Sequence, residues 1–352
     1  VSPRRISAVR AVALALGLVL AASACSADPV ATENTADGGD VAATATPSAT
    51  PSTTATAAAG TAGTCGIFPA DNVWHASVAG LPVHPDSASY VDSIGTGKPV
   101  HPDFGATPYN GDPIGIPVTT VPAGQPGVKV NFQYASESDP GPYPIPPAVG
   151  IEGGRDSDGD RHIILLDQSA CRAYELYAAY PNNDGSWRAG SGAVFDLRAN
   201  ALRPAGWTSA DAAGLSVLAG LVRYDEVAAG RIDHAIRITV PKTRNAYVWP
   251  ARHAASTDNS LALPPMGLRL RLKSTVDISG LPAQARVVAA AMQQYGVIVA
   301  DNGSSWFITG TSDDRWNDDA LHALGGLKGS DFEAVDTSSL MVSADSAAVR
   351  RP

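Results

Sequence analysis

Three stretches of the chain gather Arg, His, aromatic and carboxylate side chains densely enough to do chemistry. In "GLVRYDEVAAGRIDHAIRITV" (220–240), Arg223, Tyr224, Asp225, Glu226 and His234 lie among apolar residues. In "YVWPARHAAS", Trp249 is followed by Arg252 and His253. In "GRDSDGDRH", Asp156, Asp158 and Asp160 occupy alternate positions. The first two are the equipment of a carbohydrate-active enzyme. An Arg that neutralises a uronic-acid carboxylate, beside a His or Tyr that removes the α-proton, makes a polysaccharide lyase. Two carboxylates flanking a glycosidic bond make a hydrolase. Tyr224, Trp207 and Trp249 would then be stacking platforms, with Arg223 as a further substrate contact.

The elements that must position these groups limit the choices. Residues 220–240 read as two short strands joined at 228–231, and side chains alternate between faces along a strand. Asp225 and Glu226 then face opposite ways and cannot form one dyad, so a partner must come from Asp196 in "VFDL" or Asp211 in "TSAD". An Arg223–Asp225 ion pair on a solvated face is the competing reading. His234 shares a face with Ile232, Ile236 and Ile238, as a core histidine bonded to one neighbour or as the base on a cleft floor. Pro250 interrupts its strand, which brings Arg252 and His253 out at a rim.

Metal signals are weaker. The alternating Asp156, Asp158 and Asp160 form half of a calcium loop, but the glycine falls at Gly159 and no Glu closes the loop at the required distance. A polar turn is the plainer reading, with a structural Ca²⁺ the alternative and no other cofactor expected. HExxH and Gly-x-Ser-x-Gly are absent, and Ser191 in "GSGAV" lacks the spacing of a nucleophile elbow.

The strand pattern is clearest after residue 160, in "RHIILLD", "CRAYELYAAY", "GAVFDL", "HAIRITV" and "GLRLRLK", with turn residues every eight to twelve positions. "VIVADNGSSWFITG" reads as a hairpin turning at Asn302-Gly303. One amphipathic helix runs through "AQARVVAAAMQQY", opened by Pro282 and closed by Gly296. Shorter helices are expected at 88–94, as one turn in "TSADAAGL", and in "WNDDALHAL" capped by Asn317 or a neighbouring Asp. The expected architecture is a β-rich α+β domain, an antiparallel β-sandwich or jelly roll with a few peripheral helices.

The ends set the location. Arg4, Arg5 and Arg10 precede an apolar run at 11–22, and "ASAC" supplies small residues before Cys25. This pattern reads as a lipoprotein signal over 1–24, with Cys25 lipidated and the protein held on the extracytoplasmic face of the cell membrane. Residues 26–64, rich in Ala, Thr, Pro and Ser, have too little to bury and read as a disordered tether. A single globular domain is expected over 65–345, with a disordered tail at 346–352.

The chain carries a net charge of −9. Removing the three signal arginines leaves 22 basic against 34 acidic residues, which excludes nucleic acid and anionic lipid surfaces as ligands. The expected partners are the membrane, through the Cys25 anchor, and a polysaccharide or cell-wall glycan, bound by a monomer. Cys65 and Cys171 are the remaining cysteines, and an even pair in an oxidising compartment reads as a disulfide.

"GSWRAGSGAVFDL", "LRPAGWTSADAAGL", "GLVRYDEVAAGRIDHAIR", "YVWPARHAAS", "LPPMGLRLRLK" and "YGVIVADNGSSWFITG" resemble blocks of a family of secreted, actinobacterial-type lipoproteins and surface proteins. Some members carry carbohydrate-binding or surface modules. The resemblance spans roughly 67–336. It implies a shared fold and an extracytoplasmic setting, and it brings no catalytic residues. The functional expectation is a polysaccharide hydrolase or lyase, with a non-catalytic glycan-binding or envelope-scaffold lipoprotein as the alternative. A peptidase or esterase has no nucleophile in recognisable context.

Overall fold

The computed structural model describes residues 65–109 and 111–350. The expected signal segment, Cys25 and the tether lie outside the described residues. The proline-rich first third forms only three-residue strands, β1 (His101–Asp103), β2 (Val118–Thr120) and β3 (Val130–Phe132). Proline lacks the amide donor that would extend a ladder. Longer strands follow where β-branched and aromatic residues dominate, β4 (Ile163–Asp167), β5 (Arg172–Tyr177) and β8 (Ser191–Asp196), with the short β6 (Tyr180–Pro181) and β7 (Trp187–Ala189) between β5 and β8. The last part supplies β9 (Ile236–Val240), β10 (Arg269–Leu272), β11 (Val297–Asn302), β12 (Phe307–Thr309) and β13 (Phe332–Ala334).

These strands build three sheets, in the orders β1-β12-β9-β11-β10-β13, β2-β4-β5-β8 and β3-β7-β6. The domain is β-rich with a few helices, as the sequence suggests. It is not an all-antiparallel arrangement, however. β1–β12, β9–β11, β2–β4 and β3–β7 are parallel pairs. Strand β4 is buried on both faces at Ile163, Ile164 and Leu165, the continuous apolar run of a central strand. One face packs on Val217, Leu218 and Leu221, the other on Val130 and Tyr143.

The helices are α1 (Ser87–Ile94), α2 (Val217–Gly220), α3 (Tyr224–Ala228), α4 (Ala283–Gln294) and α5 (Asp318–His322). Helix α4 buries Ala285, Val288, Ala289 and Met292, spaced at i, i+3, i+4 and i+7. It stops before Gly296, whose φ of 70° needs glycine and whose missing Cβ would collide with the carbonyl of Leu270. Of the two caps the sequence allows for α5, it is Asn317, whose side chain accepts from the Ala320 amide at 2.9 Å.

Several local expectations change. The first half of the 220–240 hairpin is helical, not a strand. Ser216 caps α2, and residues 217–222 are buried all round, a condition under which alternation cannot separate strand from helix. Asp225 and Glu226 sit in the first turn of α3, where negative charge favours helix. The 297–310 segment is no hairpin, because β9 lies between β11 and β12. "TSADAAGL" forms turns without a helix, and "AYVWPARH" contributes one bridge, Tyr247 with Met266, in place of a strand. Residues 346–350 are not a loose tail: Ser346, Ala348 and Val349 bridge to Ala201, Asn72 and Met341. Cys65 and Cys171 form the expected disulfide, with Cα atoms 5.6 Å apart.

Candidate active site

A cavity of about 440 Å³ opens where the end of β5 and the start of β8 meet the end of β11. Its walls carry three carboxyl groups, Glu137, Asp160 and Asp301, together with His253, Tyr134 and Tyr177. Among the described residues no Arg or Lys lines it.

Each polar group has a defined support. Glu137 closes a 3₁₀ turn (Ala135–Glu137), and its Oε2 accepts the Thr208 amide at 3.3 Å. His253 Nδ1 lies 2.8 Å from the Ala212 carbonyl. A carbonyl only accepts, so Nδ1 carries the proton and Nε2 is left to face Glu137 Oε2 at 3.8 Å. Asp301 follows a register shift between Val299 and Asp301 in the β9–β11 pairing. That bulge inserts one residue and turns Asp301 toward the cavity, a recurrent device beside active sites.

Asp301 touches solvent only partially, and protein encloses its carboxyl. Burial first, and then the nearby Asp211 charge, push it up to about 7, against the opposing pull of Arg237 and the Asn302 amide. It can therefore hold a proton near neutral pH, whereas two further carboxyl groups line the same space. A carboxyl group raised in this way by burial is the kind that serves as a general acid.

Two buried ion pairs back this wall. Arg237 grips Asp211 in a fork, Nε–Oδ2 3.0 Å and Nη2–Oδ1 2.7 Å, and donates to Thr309 Oγ1 at 2.6 Å. His162 Nδ1 meets Glu152 Oε2 at 2.6 Å while its Nε2 donates to the carbonyl of Ala210 at 3.0 Å. Burial opposes its charge, but attraction to Glu152 wins and lifts it to about 9. The sign follows. Because the folded value lies above the ordinary 6.5, this stabilisation is complete below about pH 6.5 and disappears as pH rises through about 9. The Tm is expected to fall over that interval, and His162→Gln to flatten the slope, as read by thermal unfolding across pH.

The sequence-derived candidates disperse. Only His253 and Asp160 reach this cavity. Arg252 and His253, expected at one rim, part company on an irregular segment: the Arg252 guanidinium is buried against the carbonyls of Arg203 and Ala344 and the carboxylate of Asp345. Trp249 donates Nε1 to the Ser346 carbonyl. Asp211 is fully buried under Arg237, and Asp196 pairs with Arg198 at the surface. Asp225 pairs with Arg315 and not with Arg223, while Glu226 joins Arg223 and His234. His234 is 1 % exposed and also contacts the Ala235 carbonyl, so it is the bonded core histidine, not a cleft base. Tyr224 packs edge-on against Trp316, and Trp207 lies 5.5 Å from the Arg203 guanidinium. Asp156 and Asp158 stay on the exposed loop. Among the described residues no group of three or more His, Cys, Asp or Glu gathers to hold a metal ion.

Sequence reasoning missed Glu137, Asp301, Tyr134 and Tyr177. The one available signal was Asp301 itself, a charge following the apolar run "VIVA". The serines of the cavity are committed elsewhere. Ser191 Oγ donates to the Ser209 carbonyl, and Ser209 Oγ sits among the Leu215 carbonyl, the Asp211 carbonyl and the Asp211 amide. Neither is placed as a nucleophile. Among the described residues no helix is long and apolar enough to cross a membrane. Comparisons with protein-family models, with curated proteins and with solved structures find no match for this chain.

Proposed function

We propose that the protein is a glycoside hydrolase acting on a neutral polysaccharide at the Asp301–Glu137–His253 cavity. The observation that carries this reading is Asp301: an enclosed carboxyl able to keep its proton near neutral pH, in an open cavity that holds two other carboxyl groups. In this reading Asp301 protonates the leaving glycosidic oxygen as general acid. Glu137 or Asp160 supplies the opposing carboxylate; Glu137 is held by the Thr208 amide, and His253 stands across from it with Nε2 3.8 Å from Oε2. Tyr134 and Tyr177 offer ring faces to the sugar. The acidic lining disfavours uronic acids, and without a cationic group at hand the lyase chemistry lacks the charge that would acidify the α-proton.

We place this activity on the extracytoplasmic face of the cell membrane, with the domain displayed as a lipoprotein anchored through Cys25. The signal-like N-terminus and the resemblance to secreted surface proteins support that setting. The two larger sheets, packed through α2, are read as the layers of a sandwich-like body.

The test is incubation of the protein with a panel of neutral and uronic polysaccharides, following reducing ends and the ultraviolet absorbance of unsaturated products. New reducing ends without that absorbance, on neutral glycans only, are the expected result. Absorbing products mean a lyase and overturn the reading. Glycan retention on an affinity gel with no new ends identifies a binding module instead.

A further inference from the structure

A second pocket, of about 510 Å³, shares no lining residue with the proposed catalytic cavity. Three arginines line it, Arg244, Arg252 and Arg269, with apolar surface from Val248, Trp249 and Leu268. Two of the three are accounted for. Arg252 pairs with Asp345 at 2.6 Å. Arg269 spends its guanidinium on the carbonyls of Tyr295, Val73 and Ala76, at 2.7, 3.3 and 3.2 Å. Burial alone pulls Arg269 down to about 9, with no carboxylate offsetting it.

Arg244 is different. Its Nε is buried without a hydrogen-bond partner, the sole such side-chain atom among the described residues. A buried donor without a partner is costly, more so on a charged group, so a native protein rarely keeps one without a use. Asp336 and Asp345 are the carboxylates of the pocket. Three guanidiniums against two carboxylates leave one positive charge. His84, which also lines the pocket, accepts the Asp86 amide at Nδ1 and therefore has its proton on Nε2, a further donor.

We infer that this pocket binds a small monocarboxylate with an apolar, ring-sized body, its carboxylate forked by Arg244 and its body against Trp249, Val248 and Leu268. One negative charge matches the unbalanced arginine, whereas a phosphate dianion overshoots it in the presence of Asp336 and Asp345. The planar guanidinium fits a carboxylate edge-on, and the apolar walls favour a body without hydroxyls. The inference is independent of the glycosidase reading and involves none of its residues.

The test is calorimetric titration of the protein with benzoate, glucuronate and inorganic phosphate. Saturable binding of benzoate is expected, at least tenfold weaker in Arg244→Met. Val248→Trp, at an exposed rim position, blocks the pocket without touching an arginine and is expected to abolish binding even if the first variant folds poorly. The inference is overturned if benzoate does not bind saturably, if neither substitution weakens it, or if glucuronate or phosphate binds more tightly.

Discussion

Asp301→Asn is expected to lower turnover of the susceptible glycan by about 10²–10⁴-fold, the usual worth of a general acid, with little change in KM. The same substitution is expected to make the protein more stable above pH 7. Asp301 in the unfolded chain loses its proton near 3.8, and in the folded chain near about 7. Between these values the folded state keeps a proton that the unfolded state has shed, so this residue's contribution to stability falls as pH rises and levels off above about 7. A neutral, isosteric amide avoids that penalty, and a gain of about 1–3 kcal/mol at pH 8 is expected from removing a poorly compensated buried charge. Wild-type kcat/KM should fall as pH rises through about 7, because the acid must be protonated to act. Kinetics and thermal unfolding on one preparation check all three. Retained turnover in Asp301→Asn removes the general acid, and with it the hydrolase reading.

Arg237→Met is expected to cost about 3–5 kcal/mol, the typical loss when one partner of a buried pair is removed. Arg237 is 4 % exposed and Asp211 fully buried, so the variant strands a carboxylate where water cannot reach it. Thr309 loses its donor as well. The double variant Arg237→Met with Asp211→Leu should regain most of the loss, because no unpaired charge remains. Urea unfolding with an unchanged m-value is the measurement. A single-variant loss below about 1 kcal/mol would show that the pair does not hold β9 to the 208–215 segment. The pair also reaches the chemistry. Arg237 restrains Asp301 from rising further, so its removal should move the alkaline limb of kcat/KM to higher pH in whatever fraction remains folded.

The two substitutions pull in opposite directions for one physical reason. Both concern charge in a wall that water scarcely wets. Where the charge is forked, as at Arg237 and Asp211, taking away half is destructive. Where it is left partly uncompensated, as at Asp301, taking it away is stabilising. Active sites commonly carry such local costs, which other parts of the fold offset.

Much of this molecule was determined by the sequence alone. The runs that became β4, β5, β8 and β10 are rich in β-formers, so their identity as strands needed no tertiary information. The start and stop of α4, with Pro282 and Gly296, and the Asn317 cap of α5 are local backbone chemistry. The Cys65–Cys171 pairing is the one expected once Cys25 is set aside for the proposed anchor. Other outcomes belong to tertiary structure. Residues 217–220 form a helix within a run, 217–222, that is buried all round, and full burial erases the periodicity that distinguishes strand from helix; 224–228 form a second, with Asp225 and Glu226 in its first turn. The intrusion of β9 between β11 and β12 is long-range pairing, which overruled a locally attractive Asn-Gly turn. The candidate site is the extreme case. Glu137, Asp160, His253 and Asp301 come from four separate segments, and one inserted residue in the β9–β11 register turns Asp301 to the cavity. Arg252 and His253 are adjacent in the chain, yet their side chains end in different pockets. Spacing in sequence fixes which face a residue takes only while the strand is regular, and at the bulge and in the irregular rim that regularity is what the tertiary contacts remove.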